Sequence, residues 1–147
     1  MDFFPRFSSL CEYPNIIVLN YVNNKNTYFL FYFIFFRVDG ANPSTPFTKT
    51  ICVDEEGPPV DFCFRETGAY PLIVYATAFG SIVGLDHRSN TPAFRLENDL
   101  LEGLQTSISM SPDQSWLVNG TSSGNITCWD LRFQLPIGNY GLVYITN

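Results

Sequence analysis

The stretch GTSSGNITCWDLRFQLPI, Gly120 to Ile137, reads as one turn followed by one strand. Ser122, Ser123 and Gly124 carry the turn, since glycine takes positive φ without a steric penalty. Ile126 and Cys128 then alternate with Thr127 and Trp129, the period of two that marks a strand. The strand ends in Trp129-Asp130. Upstream, LQTSISMSP alternates as well, with Ile108 and Met110 on one face and Ser107, Ser109 and Ser111 on the other. Pro112-Asp113 supplies a turn, and WLVNGT opens another apolar strand.

The pattern occurs twice. YATAFGSIVGLDHR, Tyr75 to Arg88, aligns with NGTSSGNITCWDLR, Asn119 to Arg132, at an offset of 44 residues. Thr77 meets Thr121, Gly80 meets Gly124, Ile82 meets Ile126, and Leu85-Asp86 meets Trp129-Asp130. The first copy runs VDFCFRE, a TGAYP turn, LIVYATA, a turn at Phe79-Gly80, then SIVGLDH. PAFRLEN reads as an outer strand, and FTKTICVDE is a candidate outer strand for the first copy. The spacing falls within the ~40–45 residues of WD40 repeats. It predicts an all-β chain with two four-stranded antiparallel WD40 blades, an incomplete β-propeller. The structural positions are Thr77, Gly80 and Asp86 in one copy, and Thr121, Gly124, Trp129 and Asp130 in the other.

Both copies depart from the usual pattern. The Gly-His pair expected before the innermost strand is missing, and Glu102-Gly103 stands near its place. Ser123 replaces the turn aspartate, and Leu85 replaces the first tryptophan. Thr121 and Trp129 are what remains of the usual hydrogen-bond network, which is expected to be incomplete. NDLLEGLQTS, Asn98 to Ser107, competes as a helix, but Gly103 weakens it by about 1 kcal/mol. It reads as the loop from one outer strand to the next inner strand.

The blades occupy residues 37–137, about 44–97 and 98–137, followed by an irregular tail at 138–147. Residues 1–36 differ in character, being crowded with Phe, Tyr, Asn and Ile. Their apolar run YFLFYFIFF, Tyr28 to Phe36, is about half of a membrane-spanning helix. No proper basic region precedes it and no small-residue cleavage site follows, so it is a poor signal peptide. A β-strand is compatible with its propensities. These residues come from A- and T-rich codons, and a Phe run before Arg37 is what a translated splice acceptor gives. Gly138-Asn139 can be encoded with a splice-donor-like sequence. Both ends are therefore read as translated intron, with a divergent terminal extension as the alternative, and residues 1–36 as no domain. Two blades alone are expected to be marginally stable and prone to associate.

The net charge of −6, with 8 Lys and Arg, argues against phosphate-mediated nucleic-acid binding and against direct attraction to anionic lipid. Cys11, Cys52, Cys63 and Cys128 make no CxxC pair, which disfavours zinc and fits buried thiols in a reducing compartment. Asn119 and Asn125 match the glycosylation acceptor pattern, within or beside strands. The acidic run Asp54, Glu55, Glu56 and Asp61 reads as a solvated loop. His87, the single histidine, has no nucleophile elbow to serve. No GxxxxGK phosphate loop is present. Catalytic, cofactor and metal residues are therefore expected to be none.

NDLLEGLQTSI with GTSSGNITCWDLRFQLPI resembles the C-terminal WD40 domain of the regulatory, pseudokinase-like scaffold subunits of class III phosphatidylinositol 3-kinase. The run past Trp129-Asp130, through Leu131-Arg132-Phe133-Gln134-Leu135-Pro136, is the specific part. The resemblance covers about residues 38–137 and neither end. It implies a non-catalytic scaffold with protein partners, the lipid kinase catalytic subunit and a coiled-coil subunit. It implies a cytoplasmic location, with endosomal and autophagic membranes reached through the complex. The kinase-like domain of such subunits has no counterpart in these residues. A second reading is a small secreted or membrane-tethered β protein anchored by its aromatic N-terminal segment.

Overall fold

A computed structural model describes residues 16–25, 28–39, 42–43, 47–52, 56–65, 72–86, 89 and 91–141. The chain divides into two units, Met1–Glu55 and Glu56–Asn147.

In the first unit, β1 (Ile16–Lys25) and β2 (Tyr28–Asp39) form a long antiparallel hairpin, from Lys25 opposite Tyr28 to Ile16 opposite Arg37. A short β3 (Asn42–Pro43) pairs with the end of β2. β4 (Phe47–Cys52) pairs with β2, from Phe35 opposite Phe47 to Leu30 opposite Cys52. This corrects the expectation for FTKTICVDE: Phe47–Cys52 joins the aromatic strand, whose β-branched and aromatic residues pair well across strands. The boundary expected after Phe36 falls inside β2.

The second unit contains two sheets. The middle sheet is a meander of β5 (Pro59–Arg65), β6 (Leu72–Thr77), β7 (Ser81–Leu85) and β8 (Pro92–Glu97). The last sheet repeats it with β9 (Gln105–Met110), β10 (Trp116–Thr121), β11 (Ile126–Asp130) and β12 (Leu135–Tyr140). The described residues are thus all-β, and the second unit holds two four-stranded antiparallel sheets where two blades were expected. PAFRLEN supplies the outer strand of the middle sheet. β12 runs through Tyr140, beyond the boundary expected at Ile137.

The repeat extends to the pairing register. Ile82 sits opposite Ala76, and Ile126 opposite Gly120. Gly84 faces Phe94 and Leu85 faces Pro92; Cys128 faces Gly138 and Trp129 faces Pro136. Each outer pairing therefore carries a bulge, at Ala93 and at Ile137, directly after a proline. Proline and bulges both blunt an outer edge against further strand pairing. The turns repeat too. Gly80 has φ 94° and donates to Thr77 O at 3.1 Å; Gly124 has φ 81° and donates to Thr121 O at 3.0 Å.

Asn98–Ser107 holds one 3-10 turn, Leu100–Glu102, and otherwise links β8 to β9. Asp99 caps the turn by accepting from Leu101 N at 2.9 Å, and Gly103 ends it at φ 98°. The turn at Pro112-Asp113 is tied by Asp113, whose carboxylate accepts from the Ser115 hydroxyl at 2.6 Å.

The core lies between the two sheets. Leu72, Val74, Ala76, Ile82, Phe94 and Leu96 of the middle sheet pack with Ile108, Leu117, Trp129 and Leu131. On β11 the period of two turns Thr127 and Trp129 inward, while Ile126 is exposed. On β9, Ser107 and Ser109 are exposed and Ile108 is buried, as the alternation predicts. Among the described residues, no helix is long and apolar enough to cross a membrane.

Candidate functional site

The buried side chains with specific polar geometry gather at the joint between the two sheets. Trp129 is buried by alternation, and its Nε1–H donates to Asn119 Oδ1 at 2.6 Å. Asn119 lies on the same face of β10 as Leu117 and Thr121, and pairs across the sheet with Thr127. The Thr121 hydroxyl donates instead to the Glu102 carbonyl at 2.6 Å. Asn125 Nδ2 donates to that same carbonyl at 3.0 Å. The Glu102 carboxylate accepts from Asn139 Nδ2 and lies 3.2 Å from the Thr127 hydroxyl, whose single proton it shares with Asn98 Oδ1. Glu102, in the place expected to hold a Gly-His pair, thus uses both carbonyl and carboxylate. The polar network runs through residues that differ from the expected set.

The other expected positions serve geometry. Thr77 is wholly buried at the end of β6. A Cβ on Gly80 would fall 2.6 Å from the Asn98 carbonyl, so its positive φ and its lack of a side chain are both required. Gly124 turns β10 into β11. The Asp86 carbonyl accepts from Ser89 N at 3.0 Å, turning the chain after β7. Asp130 ties the β11–β12 turn, accepting from Arg132 N at 2.8 Å and Phe133 N at 3.3 Å, while Arg132 Nη2 reaches its second oxygen at 2.8 Å. Arg132 in turn lies 5.5 Å over the exposed Phe133 ring.

The Arg132 side chain, then its backbone N–H, hold the Asp130 carboxyl at about 2, well below the usual carboxylate range. A depressed carboxylate contributes above its unfolded pKa and loses that contribution as pH falls through its folded value. The turn should therefore hold at pH 5 and above, and loosen between about pH 4 and 2. Carbon-detected titration should give Asp130 a midpoint near 2, moving up toward an ordinary carboxylate in Arg132→Ala.

Asp61 links the two sheets. Its Oδ2 accepts from Ile108 N on β9 at 2.9 Å, and its Oδ1 from Phe62 N at 2.8 Å. Gln105 N donates to Ala78 O at 3.1 Å beside it in the same joint. The Asp61 bond is charge-assisted and sits where an edge strand presents an unpaired N–H. Asp61→Ala should lower stability by about 1–3 kcal/mol by stranding that donor, measured by urea unfolding.

The remaining charges are structural. Glu56 and Glu97 flank Arg95 at 2.8 and 3.3 Å, and Ser81 Oγ donates to Glu97 at 2.9 Å. Burial, with Glu56 nearby, pushes the Tyr75 hydroxyl above its ordinary range. Asp54, Glu55, His87 and the TGAYP turn at 67–71 lie outside the described residues, as do Cys11 and the Cys52 side chain. Cys63 and Cys128 are half-buried thiols. Among the described residues, no group of three His, Cys, Asp or Glu side chains is placed to hold a metal. Asn119, with its side chain inside the joint, cannot accept a glycan in the folded sheet.

The sequence marked Asn119 and Asn125 for a glycosylation pattern, Glu102 for the place of a missing Gly-His pair, Asp61 for a solvated acidic run and Thr127 for its alternation, and none of them for its hydrogen bonds. The signal for Asn119 and Thr127 was present, because the period of two places both on the face of Trp129. Asp61 and Glu102 act across loops and sheets, where no spacing rule reaches.

Two in-register copies of a four-stranded meander, joined by backbone-directed hydrogen bonds and a shared apolar core, define an all-β repeat protein. No family model matches the chain. Over 89 residues, 60% of its length, it is 42% identical to the probable serine/threonine-protein kinase vps15 of Dictyostelium discoideum, covering 4% of that protein. It is 37% identical over 70 residues to the serine/threonine-protein kinase VPS15 of Arabidopsis thaliana, covering 48% of this chain and 5% of that protein. It is 32% identical over 72 residues to the putative VPS15 kinase of Komagataella pastoris, covering 49% of this chain and 5% of that protein. Over about half of its length or more the chain is thus similar to VPS15 proteins, and it spans 4–5% of the length of these curated relatives.

Proposed function

We propose that the two sheets are consecutive blades of a WD40 β-propeller and act as a non-catalytic interaction module of a class III phosphatidylinositol 3-kinase regulatory subunit. One observation carries the propeller reading. The middle sheet's face of Leu72, Val74, Ala76, Ile82, Phe94 and Leu96 is buried in the core shared with the last sheet. At an offset of 44 residues, the last sheet presents Trp116, Val118, Gly120, Ile126, Cys128, Gly138 and Tyr140 in the same register. There Trp116 is 41%, Ile126 45% and Tyr140 67% exposed. An apolar sheet face of this kind is completed by a neighbouring repeat, as blades complete one another around a ring.

The similarity to VPS15 proteins supports a place in a multi-subunit assembly. In this reading the partners are the lipid kinase catalytic subunit and a coiled-coil subunit. The location is cytoplasmic, on endosomal and autophagic membranes through the complex, with roles in endosomal sorting and autophagy. In this reading the kinase activity named in the relatives lies outside the segment that this chain matches. The hydrogen bonds described in the joint serve backbone and neighbouring side chains, which supports a binding role over a chemical one.

The test is reconstitution. The chain should comigrate on size exclusion with purified catalytic and coiled-coil subunits, and should transfer no phosphate from ATP to a protein substrate. Phosphoryl transfer by the purified chain, or migration separate from both subunits, would sink this reading.

A further inference from the structure

We propose that the polar end of the joint is a buried water-binding site shared by the two sheets. Asn98, Gln105 and Asn119 are 9, 1 and 0% exposed. Four of their polar atoms have no protein partner: Asn98 Nδ2, Gln105 Nε2 and Oε1, and Asn119 Nδ2.

The register gathers these residues into one patch. Gln105 N donates to Ala78 O at 3.1 Å, which seats Gln105 against the β6–β7 turn. Asn98 N donates to Gly80 O at 2.9 Å, on the same turn of the middle sheet. Asn98 Oδ1 accepts from the Thr127 hydroxyl at 3.2 Å, and Thr127 pairs with Asn119. Gln105 pairs with Thr121, two positions along β10 from Asn119 on the same face. The three side chains therefore gather where the β6–β7 turn meets the last sheet.

Leaving four buried polar atoms unpaired would cost a large part of the stability of a small domain. The chemistry of the atoms selects the ligand. Three amide NH2 groups donate and Gln105 Oε1 accepts. An apolar ligand meets none of them. An anion would face Gln105 Oε1 and the Glu102 carboxylate, and a cation would face three donors. Water donates and accepts, and a buried water makes about three such bonds. The site thereby joins the sheets by polar contacts at one end, as the apolar cluster does at the other.

Water-to-amide cross-peaks, read in the rotating frame on the 15N-labelled full chain, test this directly. The Gln105 and Asn119 side-chain amides should show peaks of the sign and size of a long-lived buried water. Gln105→Met removes two unpaired atoms while sparing the assigned side-chain hydrogen bonds, and should lower the Asn119 peak at least threefold. Asn98→Leu removes the amide carried at the end of β8, and decides the matter where Gln105→Met fails to fold. Absence of water peaks at both amides in the wild-type chain overturns the site. So does an Asn119 peak unchanged in every variant that folds.

Discussion

Trp129→Ala should lower the stability of the two-sheet unit by about 3–5 kcal/mol, the range for removing a buried large aromatic. Trp129 stands in the core cluster at 5% exposure, beside Leu117 and Leu131. Its loss removes apolar contact from the joint and also strands Asn119 Oδ1, which accepts the indole N–H at 2.6 Å. Asn119→Ala alone should cost about 1–3 kcal/mol, because it leaves a buried indole N–H without an acceptor. Trp116→Ala provides the contrast. Its side chain is 41% exposed on the outward face, so its loss should cost well under half as much. Urea unfolding of the three variants, followed by far-UV circular dichroism, measures these differences. Equal losses for Trp129→Ala and Trp116→Ala would show that the core does not lie where the structure puts it.

A second comparison uses the repeat itself. Ile82 and Ile126 occupy equivalent register positions, opposite Ala76 and Gly120. Ile82 is fully buried between the sheets, and Ile126 is 45% exposed. Ile82→Ala should therefore cost about 2–5 kcal/mol, and Ile126→Ala about 1 kcal/mol or less. The difference comes from the neighbouring sheet alone, since residue type, strand position and turn are shared. Denaturant midpoints on the full chain report it. When the outward face is covered by a further blade, the Ile126→Ala cost should rise toward that of Ile82→Ala. That rise would be direct support for the propeller reading, measured on the longer protein.

Much of the local architecture was legible in the sequence. Alternation placed Ile108 inward and Ser107 and Ser109 outward. Gly80 and Gly124 announced positive φ, because each stands between two apolar strands where the chain must reverse. Pro112-Asp113 announced the turn before β10. What failed was pairing at a distance. FTKTICVDE has the composition of an outer strand for the middle sheet, yet Phe47–Cys52 pairs with β2. Composition states that a segment suits a sheet; the partner is fixed by which edge the chain brings alongside. The polar joint was missed for the same reason. Thr121 and Trp129 were expected to share a network, but a strand residue's partner depends on what packs over its face.

The sequence by itself determined the period-two strands, the turns that separate them and the repeat at an offset of 44 residues. Those features follow from side-chain alternation and from glycine and proline geometry, which act within a few residues of the chain. Only the tertiary structure decided that Asp61 bridges to Ile108, that Glu102 serves Thr121, Asn125 and Thr127, and that one of two equivalent apolar faces is covered. Hydrogen bonds and burial between sheets depend on distance in space, and no local pattern encodes that distance.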